Sequence, residues 1–529
     1  MSVEIELKLQ FDPRHIARLR NHPLLKHAAH STTRKLYSVY YDTPDLDLWR
    51  AGIALRLRRA GAPAGSKQSF RSRDASAAAG ARWIQTIKCG GAAVAGLHQR
   101  KECEAAVATQ FPDFSAIDDA ELAARFASIE LRARLKPVIV TEFTRSCCML
   151  APAAGVSIEA SIDHGIIKSG DASELVCELE LEVKAGSVWR AYQVALQLLD
   201  AAPLMVDDRS KAERGMALHE RVPRKPRKTP PSPVAAGMTS NDAFTALVQS
   251  CLAHYTANQR GMLDGADPEY LHQMRVALRR LRSVFSTFAP LFPAAALAPP
   301  TAETRWLAQV LGPTRDWDVF NADILPPVTT RYARHAGIAA VTRSAARLRL
   351  AANRRARRAV ASARGQGLLL ALGGWSSAAT WLEQLSEAQR GELQRPVAEF
   401  ARTVLDAALK RVSKRGRHFA TLAPPKLHRL RIAAKKLRYA AEFFAPLYDA
   451  GKARGYRAAL ARLQDTLGAY NDAVTVTRLA ERASRGLKGA AANEARGIML
   501  GWSAGMQDAG TRHLRRIWND FRAARPFWE

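Results

Sequence analysis

Acidic residues are scarce in the later part of this chain: residues 221–529 hold 22 Asp and Glu against 50 Lys and Arg, whereas residues 1–220 hold 27 against 29. Nearly all of the formal net charge of +30 therefore lies beyond residue 220. A one-sign field of that size calls for a polyanion or an acidic surface, such as nucleic acid, polyphosphate or anionic lipid. Cysteine is also sparse. Five of the six cysteines fall in the first part, Cys147 and Cys148 are adjacent, and no Cys-x-x-Cys pair exists. Neither a zinc site nor a disulfide framework is indicated, and reduced thiols in a cytoplasmic protein are expected. No apolar run is long enough to span a membrane, since Gly367-Leu368-Leu369-Leu370-Ala371-Leu372 is far too short. The N-terminus is charged from Glu4 onward and lacks the layout of a signal peptide. No membrane partner is expected. Aromatics form no stacking series along the basic helices, which argues against single-strand recognition and leaves nucleic acid as a nonspecific competitor.

At 529 residues, two to four domains are expected. The first part reads as strands with ionisable residues at period two. Glu4, Glu6 and Lys8 point one way and Ile5, Leu7 and Leu9 the other, because side chains alternate faces along a strand. Ile53–Arg58 repeats the pattern with Arg56 and Arg58, Trp83–Lys88 with Lys88, and Gln99–Glu104 with Arg100, Glu102 and Glu104. Ser157–Asp163 adds Glu159 and Asp163, and Val176–Lys184 adds Glu178, Glu180, Glu182 and Lys184. Acids and bases are segregated by strand, which suits a closed or nearly closed antiparallel barrel whose lumen is the charged side. Charges buried that way must be paired, and a metal–polyphosphate complex pairs both sets. Paired carboxylates suit Mg²⁺ or Mn²⁺, and the bases suit phosphate. The stretch Gly61–Ala81 reads as a flexible basic insertion.

These strands, with Tyr40-Tyr41-Asp42-Thr43, Gly96-Leu97-His98-Gln99-Arg100, Ile162-Asp163-His164-Gly165 and Ser210-Lys211-Ala212-Glu213-Arg214-Gly215, resemble the CYTH domain, the triphosphate tunnel metalloenzyme fold, over residues 1–218. The resemblance implies an eight-stranded antiparallel tunnel with surrounding helices that binds a small triphosphate with a divalent metal and hydrolyses it. It further implies Glu4, Glu6 and two of Glu178, Glu180 and Glu182 as metal ligands, with Glu4, Glu6 and Lys8 at the catalytic centre. Lys8, Arg56, Arg58, Lys88, Arg100, Arg145 and Lys211 would contact phosphates, and Glu102, Glu104, Glu159 and Asp163 would orient them or serve a second metal. His98 is read as structural or superficial.

Residues 219–239, rich in Pro, Lys and Arg, form an extended linker and the domain boundary. Beyond it an all-helical domain is expected over 240–525. His272-Gln273-Met274-Arg275-Val276-Ala277-Leu278-Arg279-Arg280-Leu281-Arg282 recurs 156 residues later as His428-Arg429-Leu430-Arg431-Ile432-Ala433-Ala434-Lys435-Lys436-Leu437-Arg438, and Phe288-Ala289-Pro290-Leu291 returns as Phe444-Ala445-Pro446-Leu447. The gapless offset points to duplication, with bundles over about 240–395 and 396–525. His272, Arg275, Arg279 and Arg282 share one helical face, and His428, Arg431, Lys435 and Arg438 form its twin. These helices, with Leu311-Gly312-x-x-Arg315-Asp316-x-Asp318, resemble the CHAD domain, which implies binding of inorganic polyphosphate by these residues together with Arg280 and Lys436. Arg354-Arg355-Ala356-Arg357-Arg358 would extend the positive surface.

The expected protein is a multidomain α+β inorganic triphosphatase using Mg²⁺ or Mn²⁺, cytoplasmic and associated with polyphosphate granules. The alternatives are a noncatalytic polyphosphate-binding protein and a tunnel acting on an organic triphosphate, as an ATP cyclase or thiamine triphosphatase.

Overall fold

The computed structural model describes residues 2–63, 83–511 and 514–529. The insertion expected over Gly61–Ala81 lies largely outside them. By its contacts the chain divides into two units, residues 1–225 with 361–379, and residues 226–360 with 380–529. This division departs from the sequence boundaries in two places. Residues 226–239 of the expected linker go with the helical unit: the Arg227 N–H donates to Asn258 Oδ1 at 2.9 Å, and the Ser232 hydroxyl donates to the Phe443 carbonyl at 2.6 Å. The helix Ala363–Ser377 goes with the first unit, although helices of the second flank it in sequence.

In the first unit, eight antiparallel strands close on themselves. They are β1 (Ser2–Gln10), β2 (Ala29–Asp42), β3 (Ile53–Pro63), β4 (Trp83–Val94), β5 (Leu97–Val107), β6 (Lys136–Leu150), β7 (Ser157–Ser169) and β8 (Ala172–Ala185). Their order is β5-β4-β3-β2-β6-β7-β8-β1, and pairing of β1 with β5 completes the barrel. A two-residue strand, β9 (Met205–Val206), pairs with the end of β1. Period-two alternation sorts the side chains. Leu55 and Leu57 join Phe126, Leu48 and Leu122 in a core on one side of the wall, while Arg56 points to the other. Between β1 and β2 the chain forms short helical turns, Pro13–His15, Ile16–Arg20 and Pro23–Lys26, because Pro13 and Pro23 each start a new turn.

Local chemistry explains two of the motif residues. Asp42 is buried and accepts the N–H groups of Thr43, Leu48 and Trp49, which ties off the turn after β2. Gly96, at φ +83°, lies where a Cβ would press on the Lys8 carbonyl, so this turn brings the chain against β1 as only glycine allows.

The second unit is all helical. The helix Pro268–Phe288 and its 3₁₀ turn Ala289–Leu291 recur 156 residues later as Pro424–Phe444 and Ala445–Leu447. The cores run across the two sequence copies: Phe288 packs on Phe400 and Phe444, and Trp317, Phe320 and Ile338 pack with Val476, Leu479 and Met499. Among the described residues, no helix is long and apolar enough to cross a membrane.

Leu7 is fully buried on the face of β1 opposite the charged one. Leu7→Ala should destabilise the barrel by about 2–5 kcal/mol, read as a lowered midpoint of denaturant unfolding.

Candidate functional site

The register of the barrel stacks its charges in tiers. Glu159 on β7, Glu182 on β8 and Glu6 on β1 pair directly across neighbouring strands, so three carboxylates form one row. The next row holds Ser161, Glu180 and Lys8. The row below holds Arg145, Asp163 and Glu178. On the other wall, Arg56, Thr86 and Glu104 align across β3, β4 and β5, with Lys88 opposite Glu102 one step away.

These side chains enclose a cavity of about 400 Å³. Its walls carry Glu4, Glu6, Lys8, Arg56, Arg58, Lys88, Arg100, Glu102, Glu104, Arg145, Glu159, Glu180, Glu182 and Lys211, all expected from sequence. Tyr40, Ser161, Lys184 and Ser210 join them. Ser161 and Lys184 share the inward faces of Glu159 and Glu182, so strand parity was the signal for both. Tyr40 gave no such signal.

Two expected residues do not reach the cavity. Asp163 and Glu178 lie beneath its floor, 0% and 2% exposed. With Glu180 they form an acidic triad whose oxygens lie within 4.8 Å of one another, a cluster with the geometry to chelate a divalent metal. Lys211 Nζ lies among them, 2.8 Å from Asp163 and 2.9 Å from Glu180 and in contact with Glu178. Arg145 grips Asp163 through two bonds of 2.8 and 2.7 Å, and Arg214 meets Glu178 at 3.2 Å. The triad is thus already countered by side-chain cations. The row Glu159, Glu182 and Glu6 faces the cavity instead. It offers hard oxygen donors on three adjacent strands, with Glu4 on the same face as Glu6, and it too carries cations: Lys8 lies 2.8 Å from Glu6, Lys184 2.5 Å from Glu182, and Lys88 contacts Glu4.

Electrostatics follow this layering. Burial disfavours charge on Glu6, but Lys8 at 2.8 Å and Lys88 outweigh it and hold the carboxyl at about 2. Burial also opposes the Lys8 ammonium, and Glu180 at 2.7 Å with Glu6 overrides it, pushing Lys8 well above its ordinary value. Glu182 moves up because burial, with the nearby Glu4 and Glu159 carboxylates, outweighs its ion pair with Lys184 at 2.5 Å. Arg58 falls to about 10 because it is buried beside Arg56 and Arg145. The Nε atoms of Arg56 and Arg58 are buried without a hydrogen-bond partner among the described residues, while Arg56 Nη2 donates to the Thr86 hydroxyl at 2.9 Å. His98 is buried rather than superficial, and burial next to Lys8 lowers it to about 4.

The helical unit holds a second cavity, of about 550 Å³. His272, Arg275, Arg279, Arg282, Arg431 and Lys435 line it with Arg315, and Asp316 is the one carboxylate on its wall among the described residues. The Nε atoms of Arg279 and Arg431 are buried and unpartnered. Lys435 drops to about 7, through burial and then through Arg279, Arg431, Arg282 and Arg275. The other expected residues fall elsewhere. Arg280 is buried, lies over the Phe443 ring and meets Glu442 at 3.7 Å. Arg438 pairs with Glu442 at 2.9 Å and lines an adjoining cavity, and Lys436 lies near Arg411 and Arg415. His428 is exposed and outside both cavities, so the twin stripe is only partly realised. Asp318 serves structure, since it is 3% exposed and bonded to Arg349 at 2.6 Å. Arg357 is held by the Gly265 carbonyl.

A closed eight-stranded tunnel with a charged lumen, joined to an all-helical unit with a basic cleft, defines the class of molecule. Comparison with known proteins places it: the CYTH domain model matches residues 2–216 and the CHAD domain model residues 246–481, so the chain carries an N-terminal CYTH domain and a C-terminal CHAD domain. It is 30% identical to the crystal structure of the CHAD domain from the plant Ricinus communis, with a TM-score of 0.50, covering 57% of this chain and 98% of that one. It is 26% identical over 219 residues to an inorganic triphosphatase of Haemophilus influenzae, which covers 41% of this chain. The chain matches 55%, about half, of the length of that relative. PptA from Streptomyces chartreusis is 17% identical with a TM-score of 0.42, covering 53% of this chain and 100% of that one.

Lys211→Met should leave Asp163, Glu178 and Glu180 buried without their central counter-charge, costing about 3–5 kcal/mol at neutral pH. The unpaired carboxyls would have raised pKa values, so the penalty should shrink as pH falls and they protonate. Unfolding midpoints of wild type and variant at about pH 7.5 and about pH 5 check the sign.

Proposed function

We propose that the tunnel hydrolyses inorganic triphosphate with the help of Mg²⁺ or Mn²⁺, and that the helical unit binds inorganic polyphosphate and targets the protein to it. The observation that supports the first part is that Arg56, Arg58, Lys88 and Arg100 line one cavity with Glu4, Glu6, Glu159 and Glu182. Guanidinium and ammonium groups gathered opposite hard carboxylates suit a phosphate chain that carries a divalent metal. Among the described residues the lining favours an inorganic substrate over an organic one: Tyr40 is the one aromatic ring there, and the other described wall residues offer no apolar bed for a base or thiazole.

Glu4, Glu6 and Glu182 are the residues that would hold the metal, with Glu159 and Glu180 beside them. When bound, the ion neutralises charge on the phosphates and activates or positions the attacking water. The protein's own part is placement. Arg56, Arg58, Lys88 and Arg100 grip the chain from one wall, while Lys8 and Arg145 hold it from the other. Lys8 stays charged through the neutral range because Glu180 and Glu6 flank it, and it stabilises negative charge developing on the terminal phosphate.

Among the described residues of the cleft, five arginines with His272 and Lys435 face one carboxylate, an arrangement suited to densely spaced phosphates. The recurrence of these elements at a fixed offset supports duplicated helical halves as the origin of the cleft. Residence in the cytoplasm beside polyphosphate granules follows from this reading, with nucleic acid only a nonspecific competitor.

Glu6→Gln should cut phosphate release from tripolyphosphate by at least about a hundredfold, measured with Mg²⁺ and with Mn²⁺. Equal rates for wild type and variant would leave only a noncatalytic holder. In the cleft, the Lys435 charge is present below about pH 7 and lost above it. Affinity for long-chain polyphosphate should therefore weaken as pH rises through about 7, after an earlier loss in more acidic solution from His272, which burial lowers; Lys435→Arg should remove the loss near pH 7 and keep the earlier one, as equilibrium binding across that range checks.

A further inference from the structure

The helix Ala363–Ser377 sits amid the helical sequence, yet it packs within the tunnel unit, against the helix Val188–Leu198 and β9. Gly373 and Gly374 lie so close to Tyr192 and Trp189 that a Cβ on either would overlap the rings. Leu369, Leu370 and Leu372 are buried. In the same helix Gln366 is 1% exposed, and its Oε1 accepts the Val206 backbone N–H at 3.0 Å.

Val206 begins the run that delivers Lys211. The Asp207 carbonyl faces His98 Nε2 at 3.3 Å, and Asp208 Oδ1 accepts the Gly96 N–H at 2.6 Å. Ser210 then caps the helix Lys211–His219 through a reciprocal pair of bonds with Glu213, and Ser210 and Lys211 both line the cavity. Glu213 also accepts a hydrogen bond from Arg100 at 3.0 Å, so the position of this helix and that of a phosphate-facing arginine are linked. The path from Gln366 to the cavity wall is five residues of backbone, fastened at both ends.

We propose that Gln366 is a positioning residue of the tunnel: it fixes β9 so that Ser210 and Lys211 are presented correctly to the phosphate chain. The inference rests on reading the tunnel as a triphosphate site. A buried amide that merely filled space would be exchanged for methionine, of like volume, at small cost. An amide oxygen that holds a strand N–H leaves that donor unpaired when it is removed. The tunnel is on this view built from two pieces of sequence, and the second piece lies inside the span matched by the CHAD model.

The test uses the full chain as wild type, Gln366→Met and Gln366→Glu, the last retaining an oxygen acceptor. Amide hydrogen exchange over residues 205–211 is measured together with steady-state hydrolysis of tripolyphosphate. In wild type the Val206 amide should be as protected as the amides of β1. In Gln366→Met, exchange over this run should quicken about tenfold with β6 and β7 unchanged. KM should rise about tenfold while kcat holds within about twofold, and Gln366→Glu should restore both readouts. Unaltered exchange in Gln366→Met, or faster exchange with KM unchanged, overturns the proposal. If Gln366→Met unfolds outright, wild-type Val206 decides: slow exchange supports the anchor and fast exchange overturns it. A wild type that leaves tripolyphosphate intact overturns the functional reading instead, and exchange alone then judges the anchor.

Discussion

Charge matching inside a closed barrel is the constraint on which this structure depends. A strand that buries one face against helices and turns the other inward must fill the lumen with something, and here that filling is ionic. Each buried charge carries a desolvation cost of several kcal/mol unless a partner lies at hydrogen-bond distance. The barrel meets this in its lower tier, where Lys211, Arg145 and Arg214 neutralise Asp163, Glu178 and Glu180. In the upper tier the matching is incomplete. Glu182 has Lys184 on one side but the Glu4 and Glu159 carboxylates near it, and the Nε atoms of Arg56 and Arg58 find no partner among the described residues. The tunnel is therefore rigid at its floor and unsatisfied at its working face, a division suited to holding a charged chain in one position.

Much of this was legible in the chain. Period-two charge on Glu4-Ile5-Glu6-Leu7-Lys8 and its counterparts identifies the lumen face, because strand geometry permits no other sorting of those residues. The depth of each residue was not legible. Glu178, Glu180 and Glu182 are equivalent by spacing, yet the stagger between neighbouring strands sinks the first beneath the floor and leaves the other two in the cavity. A one-strand pattern gives a face; only pairing with β1 and β7 gives a height.

The helical part shows a different limit. The repeat predicted two equivalent basic faces, and helix spacing placed Arg275, Arg279 and Arg282 together correctly. His428 escapes the cleft although it matches His272 in sequence, because equivalence in sequence does not impose equivalent packing once cores run across both copies. The helix Ala363–Ser377 escaped the reading for a related reason. Its glycines look like punctuation in a helical stretch, whereas they are the contact surface against Trp189 and Tyr192.

The contrast between the tunnel floor and the cleft has a consequence for ionic strength. Ion pairs at 2.7 to 2.9 Å within the barrel exclude solvent and are scarcely reached by mobile ions. The cleft is a concentration of like charge, with Asp316 the one carboxylate to relieve it among the described residues, so dissolved anions soften its self-repulsion. Added salt thus relaxes the empty cleft while competing for it, and leaves the barrel floor nearly indifferent. The two units of one chain would answer the same change of medium in different ways.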